Sequence, residues 1–293
     1  MKRSVVLAIV GLFLCCGLAT AELIDNGDGT VTQIRSDGSR LMWLKDANHA
    51  FTSGYDDDGI FSWEEAKQWA DQLVFAGYDD WRLPVANPVN GVSYDINGGW
   101  SAYDGTKDMG FNITSLNSEM SYMYYVELGN LGRYDIYGNR RIGDVFTNPG
   151  PFINLNDRYW TQSPYPGPDL AFSFRFLHPA GDGDGVQTAT WLQDRAWAVR
   201  DMGPSAIVRL RDLATAVLSL NLRTGIENSL DVKLQSAISA IDDLSENNDI
   251  AAINSLGAFI NAVEAQMGKE LSDEEADYLI ETANSIIAQI ESE

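Results

Sequence analysis

The sequence predicts an α+β domain followed by an all-α helical module. Three observations carry this expectation. All eight Trp and all nine Pro lie at or before Pro204, so the composition changes abruptly there. Before that point, short β-prone runs alternate with Gly- and Asp-rich turns around one well-capped helix. After it, apolar residues recur every three or four positions over four successive stretches. A break of this kind marks a domain boundary. The expected organisation is a signal peptide over 1–21, an α+β domain over 22–201, a linker over 202–204 and a helical module over 205–293.

The N-terminus reads as a leader. Met1-Lys2-Arg3 is a positive start, Ser4 to Leu18 is apolar, and Ala19-Thr20-Ala21 is a small-x-small cleavage site. An uncleaved anchor is the alternative, and the run is short for a span. Leu14 stands before Cys15 where a lipoprotein signal needs a small residue. Cleavage after Ala21 removes Cys15 and Cys16, the only two Cys. The mature chain then has no disulfide, no thiolate nucleophile and no Cys metal ligand. No other long apolar run occurs, so the mature chain is expected to carry no membrane span. The expected location is exported: periplasmic, cell-surface or extracellular.

Charge narrows the partners. Lys+Arg number 20 against 42 Asp+Glu, a net charge of -22, and loss of Lys2 and Arg3 makes the mature chain more acidic still. Such a field repels phosphate backbones and excludes nucleic-acid binding. The acid is spread over both parts, as in a solvated, self-repelling exterior.

Within the first part, Asp25 to Thr30 is a turn. Thr30–Arg35 and Arg40–Leu44 flank Ser36-Asp37-Gly38-Ser39 as a hairpin. Ser62-Trp63-Glu64-Glu65 is a capping box. Trp63, Ala66, Trp69, Ala70, Leu73 and Val74 continue at helical spacing, and Gly77 is the expected C-cap. Asp80-Trp81-Arg82-Leu83-Pro84 reads as an extended run stopped by Pro. Residues 85–157 read as loops with one helix, Ser118 to Leu128. Strands are expected at Tyr159–Thr161, Ala171–Leu177 and, closing the domain, Ala196–Arg200. Trp43, Trp63, Trp69, Trp81, Trp160 and Trp197 fall on these elements and are expected in the core.

The second part has four amphipathic stripes. They begin at Ile207, Ile226, Ile250 and Ala276, and run to Leu218, Leu244, Val263 and Ile290. Gly268 is expected to end the third helix, and Ser272 with Glu275 to cap the fourth. The stripes read as a shared core, with a protein-docking groove as the alternative.

Several separated motifs carry a family resemblance. They are Asp25-Asn26-Gly27-Asp28-Gly29-Thr30-Val31-Thr32, Leu41-Met42-Trp43, Trp63-Glu64-Glu65-Ala66, Gly77-Tyr78-Asp79-Asp80-Trp81-Arg82-Leu83-Pro84 and Ala196-Trp197-Ala198-Val199-Arg200. With Phe152-Ile153-Asn154-Leu155 and Tyr159-Trp160-Thr161, this resembles the Lcl C-terminal-domain-like family over about residues 25–201. The resemblance implies a C-type-lectin-like fold akin to formylglycine-generating enzymes, with adhesion and glycan binding as its roles. The catalytic cysteines of those enzymes have no counterpart in the mature chain. Leu220-Asn221-Leu222, Gly225-Ile226, Asn247-Asn248-Asp249 and Ala258-Phe259-Ile260-Asn261-Ala262-Val263 are similar to the FIMAH domain. That likeness implies an accessory or anchoring module and a protein partner for the helices.

Candidate chemistry is sparse. With Gly54 as loop position 1, Asp56, Asp58 and Glu65 fall at EF-hand-like positions 3, 5 and 12, with Gly59 at the bend. Position 1 lacks its carboxylate, and Glu65 is already the capping partner of Ser62. Calcium at Asp56, Asp58 and Glu65 therefore competes with an acidic turn before a capped helix. Asp182-Gly183-Asp184-Gly185 reads as a turn. His49 and His178 are the only imidazoles, and no Gly-x-Ser-x-Gly, His-Glu-x-x-His or Walker motif accompanies them. Trp100, Tyr94 and Tyr103 stand in the polar loop region, where exposed rings can stack on sugars. The expected function is a non-catalytic binding or adhesion protein, presenting loops 85–157 to a glycan or cell-surface ligand. The alternatives are a hydrolase or processing enzyme using loop carboxylates with a His, and an envelope structural protein binding another protein.

Overall fold

The computed structural model describes residues 22–177, 183–242 and 248–292, except the side chains of Trp100, Gln187, Asp242 and Ser292. The expected signal peptide with Cys15 and Cys16, and also His178, Asp182 and Asn247, lie outside the described residues. The chain is mixed α+β with two sheets and C-terminal helices. It forms two compact units, Met1–Asp37 with Met42–Arg200, and Gly38–Leu41 with Asp201–Glu293. Among the described residues, no helix is long and apolar enough to cross a membrane.

The chain enters through β1 (Glu22–Asp25), β2 (Thr30–Ile34) and β3 (Ser39–Leu44). β1 and β2 are antiparallel, with Asp25 opposite Val31. Asp28 shapes their turn by accepting the Thr30 amide at 2.9 Å. A short helix α1 (His49–Thr52) and β4 (Ile60–Phe61) lead to α2 (Trp63–Asp71). The expected capping box is present: Glu65 Oε2 accepts the Ser62 amide at 2.9 Å. Ala66, Trp69 and Ala70 are buried.

This helix ends sooner than its spacing predicts. Leu73 and Val74 lie beyond it, and Val74 is 72% exposed. Ala76 and Gly77 both have positive φ, 51° and 83°, and Phe75 and Tyr78 exchange backbone hydrogen bonds of 3.0 Å. Gly77 therefore sits in a two-residue left-handed reversal, the geometry of a type I′ turn, and not in a helix cap.

After a long irregular stretch come β5 (Gly110–Phe111) and α3 (Glu119–Tyr122). The helix expected over 118–128 is split: α3 passes into a π-helical turn at Met123–Glu127, with the Leu128 amide on the Met123 carbonyl at 2.9 Å. Tyr122, Met123 and Tyr124 are all buried, an inward run that regular 3.6-residue spacing does not accommodate.

The second sheet uses β6 (Arg158–Pro164), β7 (Leu170–Arg175), β8 (Asp184–Ala189) and β9 (Asp194–Arg195), in the order β4-β9-β6-β7-β8-β5. Only the β6–β9 pair is parallel. β7 stops at Arg175 because Phe176 and Leu177 turn their amides to the Asp157 carbonyl, at 2.8 and 3.2 Å. The closing strand is not Ala196–Arg200 but β10 (Val199–Pro204), which also includes the expected linker 202–204. It completes the four-stranded sheet β1-β2-β3-β10. Residues 196–198 interrupt the run because Trp197 is drawn into the core. Its ring lies 4.8 Å from those of Trp43 and Phe152, and its Nε1–H donates to the Leu44 carbonyl at 2.8 Å. Trp160 and Trp43 likewise satisfy their indole N–H, on the Phe61 carbonyl and Gln33 Oε1. Trp63 is the departure: it is only half-buried, bonded to the Thr161 carbonyl, with Lys67 4.1 Å above its ring.

The second unit contains α4 (Ala206–Ser219), α5 (Thr224–Asp242), α6 (Asp249–Glu264) and α7 (Asp273–Ser292). α5 packs on α4 and α6, and α7 packs on α6 and α4, closing a bundle. Leu210, Leu234, Phe259 and Ile286 are fully buried in its one core. Most of each stripe packs into this core, while Leu218 and Ile250 lie 51% and 75% exposed. α6 ends at Glu264; Gly268, at φ 68°, instead opens the following turn, its amide on the Leu271 carbonyl at 2.9 Å. Ser272 and Glu275 cap α7 as expected, the Ser272 amide donating to Glu275 Oε2 at 2.8 Å.

One buried charge should be visible in the stability of the first unit. Asp194 on β9 pairs with Arg158 Nε at 2.5 Å through Oδ1, while Oδ2 is buried without a hydrogen bond among the described residues. Burial pushes its pKa from 3.8 to about 6, against the opposing pull of Arg158. The folded state therefore holds this proton more tightly than the unfolded chain, and stability falls as pH rises from 3.8 to about 6. Urea unfolding across that window should show the native protein losing stability relative to Asp194→Asn, with a constant difference above it. Parallel curves throughout would mean that Asp194 titrates alike in the folded and unfolded chain, without the upward shift.

Candidate functional site

The irregular stretch after Pro84 is a closed excursion. Its two roots are joined where Asn87 donates its amide to the Asn117 carbonyl at 2.7 Å and Glu119 donates its own to Val85 at 3.0 Å. The Glu119 carboxylate is buried and receives Arg82 twice, at 2.8 Å on each oxygen, and the Val85 amide at 2.8 Å. Inside the excursion, buried Asp108 gathers the strands of loop by accepting the amides of Val89, at 2.6 Å, and Asp95. Gly110 is required where the loop rejoins the sheet: a Cβ there would lie 2.1 Å from the Ala102 carbonyl oxygen. Its φ of 92° is also left-handed.

A second excursion, 132–141, folds as a small arm. Tyr134 and Arg140 form an antiparallel bridge, and Asp135 Oδ1 accepts the amides of Tyr137 and Asn139 at 2.9 and 2.8 Å. Arg141 clamps the base through the carbonyls of Gly132 and Tyr134, at 2.7 and 2.8 Å. Asn112 ties the two excursions together: its Nδ2 donates to the carbonyls of Tyr103, at 2.6 Å, and Tyr134, at 3.0 Å. Tyr103, Phe111 and Tyr134 meet ring to ring, with centroids 5.0 to 6.0 Å apart. Gly138 lies so close to the Tyr103 ring that a Cβ would approach it to 2.8 Å.

Between the excursions lies a cleft of about 330 Å³. Tyr103 and Ala102 line one side, Ile136 and Tyr137 the arm side, and Asn97, Ser101, Asp104 and Lys107 supply polar groups. Tyr137 is 82% and Ile136 52% exposed. Lys107 is bonded to Asp95 at 2.5 Å, which raises its pKa above the usual lysine value and keeps it charged. The Asp104 carboxyl is held below its ordinary value, mainly by the Thr106 hydroxyl. Among the described residues lining this cleft there is no His and no Cys. The arrangement offers ring faces and hydrogen bonds, which suits binding.

The residues singled out in the sequence are distributed differently. Tyr103 lines the cleft. Trp100 has its backbone in the 3-10 turn Gly99–Ser101 beside it, while its side chain lies outside the description. Tyr94 does not reach the cleft: its ring packs 5.1 Å from Phe172, and its hydroxyl donates to the Ala86 carbonyl at 3.0 Å. Burial raises its pKa. Ile136, Tyr137 and Lys107 escaped sequence reasoning. The available signal was the turn chemistry of Asp135, Gly138 and Asn139 around two apolar residues. His49 packs edge-on against Phe75, with centroids 4.8 Å apart, and burial lowers its pKa.

Asp56, Asp58 and Glu65 all line another cleft, and one oxygen of each accepts hydrogen bonds from neighbouring residues. Asp56 Oδ1 accepts the amides of Asp58 and Gly59 at 3.0 and 2.8 Å, Asp58 accepts that of Ile60, and Glu65 accepts both donors of Ser62. These bonds hold the Asp56 and Glu65 carboxyls below their ordinary values. Among the described residues, no group of three His, Cys, Asp or Glu is gathered as a metal site.

Comparison of the chain with protein-family models and with curated proteins finds no match.

The acidic loop gives a direct test of its own bonding. Asp56→Ala should lower Tm by about 2 °C through the lost loop hydrogen bonds, equally in calcium and in chelator. A calcium-dependent rise in Tm that Asp56→Ala abolishes would instead place an ion at this loop.

Proposed function

We propose that this chain is an exported bacterial binding protein without catalytic activity, and that the cleft between its two loop excursions takes a glycan or another cell-surface ligand. The observation that carries the reading is the pairing of exposed Tyr137 and Ile136 with Tyr103 across a cleft rimmed by Asn97, Asp104 and Lys107. Sugar rings present an apolar face and a hydroxyl edge, and an aromatic wall with a polar rim matches both. The ordered motifs from Asp25 to Arg200 support a C-type-lectin-like domain of the Lcl C-terminal-domain-like family. The apolar N-terminal run supports export. The helical bundle, similar in its motifs to a FIMAH domain, is read as an accessory module. Because most of its stripe residues are buried in its own core, a protein partner would meet its outer faces, where Leu218, Val232, Ile250 and Tyr278 are exposed. Calcium is not required by this reading, since the loop cleft is held by protein hydrogen bonds.

A glycan array probed with the full chain, followed by titration of each positive glycan, tests the proposal. Tyr137→Ala should weaken binding about tenfold or more while leaving Tm unchanged, because truncating a central aromatic contact typically costs over 1 kcal/mol. An array with no positive glycan, or wild-type affinity in Tyr137→Ala, would contradict it.

A further inference from the structure

Helix α2 has a polar stripe as regular as its buried one. Glu64, Lys67, Gln68 and Asp71 follow i, i+3, i+4, i+7 spacing and share one face. That face forms a wall of a separate cleft of about 390 Å³. Arg82 and Gln162 stand opposite, and Trp81 and Leu83, 2% and 1% exposed, supply an apolar floor. It shares no lining residue with the loop cleft.

The charged and neutral groups of this cleft are in different states. Arg82 is bound on both terminal nitrogens by Glu119 at 2.8 Å. Lys67 lies 3.2 Å from Glu64 and over the Trp63 ring. Both cations are therefore already neutralised. The side chains of Gln68, Asp71 and Gln162, by contrast, have no bond to any described residue. Two amides and a carboxylate around an apolar floor can each meet a hydroxyl: the amides donate and accept, and the carboxylate accepts from adjacent O–H groups. An anionic ligand would face the unpaired Asp71 carboxylate, with Lys67 and Arg82 already engaged by Glu64 and Glu119. The size falls within the range of about 300–1,000 Å³ usual for small-molecule sites.

We propose that this cleft is a second binding site, selective for a neutral sugar unit over an acidic one, so that one domain can hold a polysaccharide at two points. The choice of sugar as ligand rests on the glycan reading of the loop cleft; the selectivity against anions rests on this cleft alone. Two sites on one domain raise the avidity for a long chain without any new contact.

The test uses the side-chain amide signals of Gln68 and Gln162 in ¹⁵N-labelled full-length protein. The probes are methyl α-glucoside, methyl α-mannoside, methyl β-galactoside and, as the charged control, glucuronate. The expected result is saturable shifting of these signals by at least one neutral glycoside, with weaker shifting by glucuronate. Asp71→Ala should weaken that response about tenfold, a loss of about 1.4 kcal/mol. Tyr137→Ala should leave it unchanged, even if that variant, or the wild-type protein, shows no binding at the loop cleft. No shift with any of the three neutral glycosides, equal response to glucuronate, or an unaltered response in Asp71→Ala would each overturn the proposal.

Discussion

Arg82 and Glu119 form a part-buried ion pair between residues 37 apart in the chain, the carboxylate enclosed and the arginine side chain 20% exposed, and it closes the neck of the loop excursion. Taking two charges out of water is costly, and the pair is tolerable only because its hydrogen bonds are well satisfied. The guanidinium meets both carboxylate oxygens, and the carboxylate also takes the Val85 amide. The backbone of Arg82 exchanges two 2.8 Å bonds with Val199, so the same residue docks the Trp81-Arg82-Leu83-Pro84 run beside the closing strand. One side of Arg82 thus belongs to the sheet and the other to the neck of the excursion.

Everything distal to that neck is organised by polar groups that face inward. Asp108 holds the near half of the excursion, Asn112 bridges it to the arm, and Arg141 holds the arm at its base. Such loops have little apolar area to bury, so their order depends on satisfied hydrogen bonds at a few fixed points. The cleft between the excursions is thereby walled by fixed points, and preformed walls lower the entropic cost of any binding. The second cleft shares the anchor: Arg82 is one of its walls, neutralised by Glu119 and so unavailable to an anion.

The elements that were legible in the sequence are those whose signals are local. The Ser62–Glu65 and Ser272–Glu275 boxes, the helical stripes of the second unit and the strands around Trp160 and Phe172 all follow from neighbours within a few residues. Boundaries failed where a distant demand prevailed. Trp197 left the strand direction to reach Trp43 and Phe152, and Tyr122 to Tyr124 widened a helix to be buried together. Ala76 in a left-handed turn carries no sequence signal, so α2 was read one turn too long. The candidate cleft lies within the loop region 85–157, but its lining is assembled from residues that are not neighbours in sequence. Tyr103 was identifiable by type and context. That it lines the same cleft as Tyr137 depends on Asn112, which ties the two excursions together. The EF-hand-like spacing of Asp56, Asp58 and Glu65 places all three along one cleft, with one oxygen of each bonded to a nearby amide.

The central claim is that the Arg82–Glu119 pair closes the neck and thereby orders residues 87–117. Amide hydrogen exchange on the native chain and on Glu119→Gln tests it most directly. Leaving Arg82 without its charge partner should cost roughly 1–3 kcal/mol at this part-buried pair. The account predicts that the amides of Asn87, Val89, Asp95 and Asp108 lose protection in Glu119→Gln far more than those of β7. An equal loss across the excursion and β7, or no loss in the excursion, would contradict it.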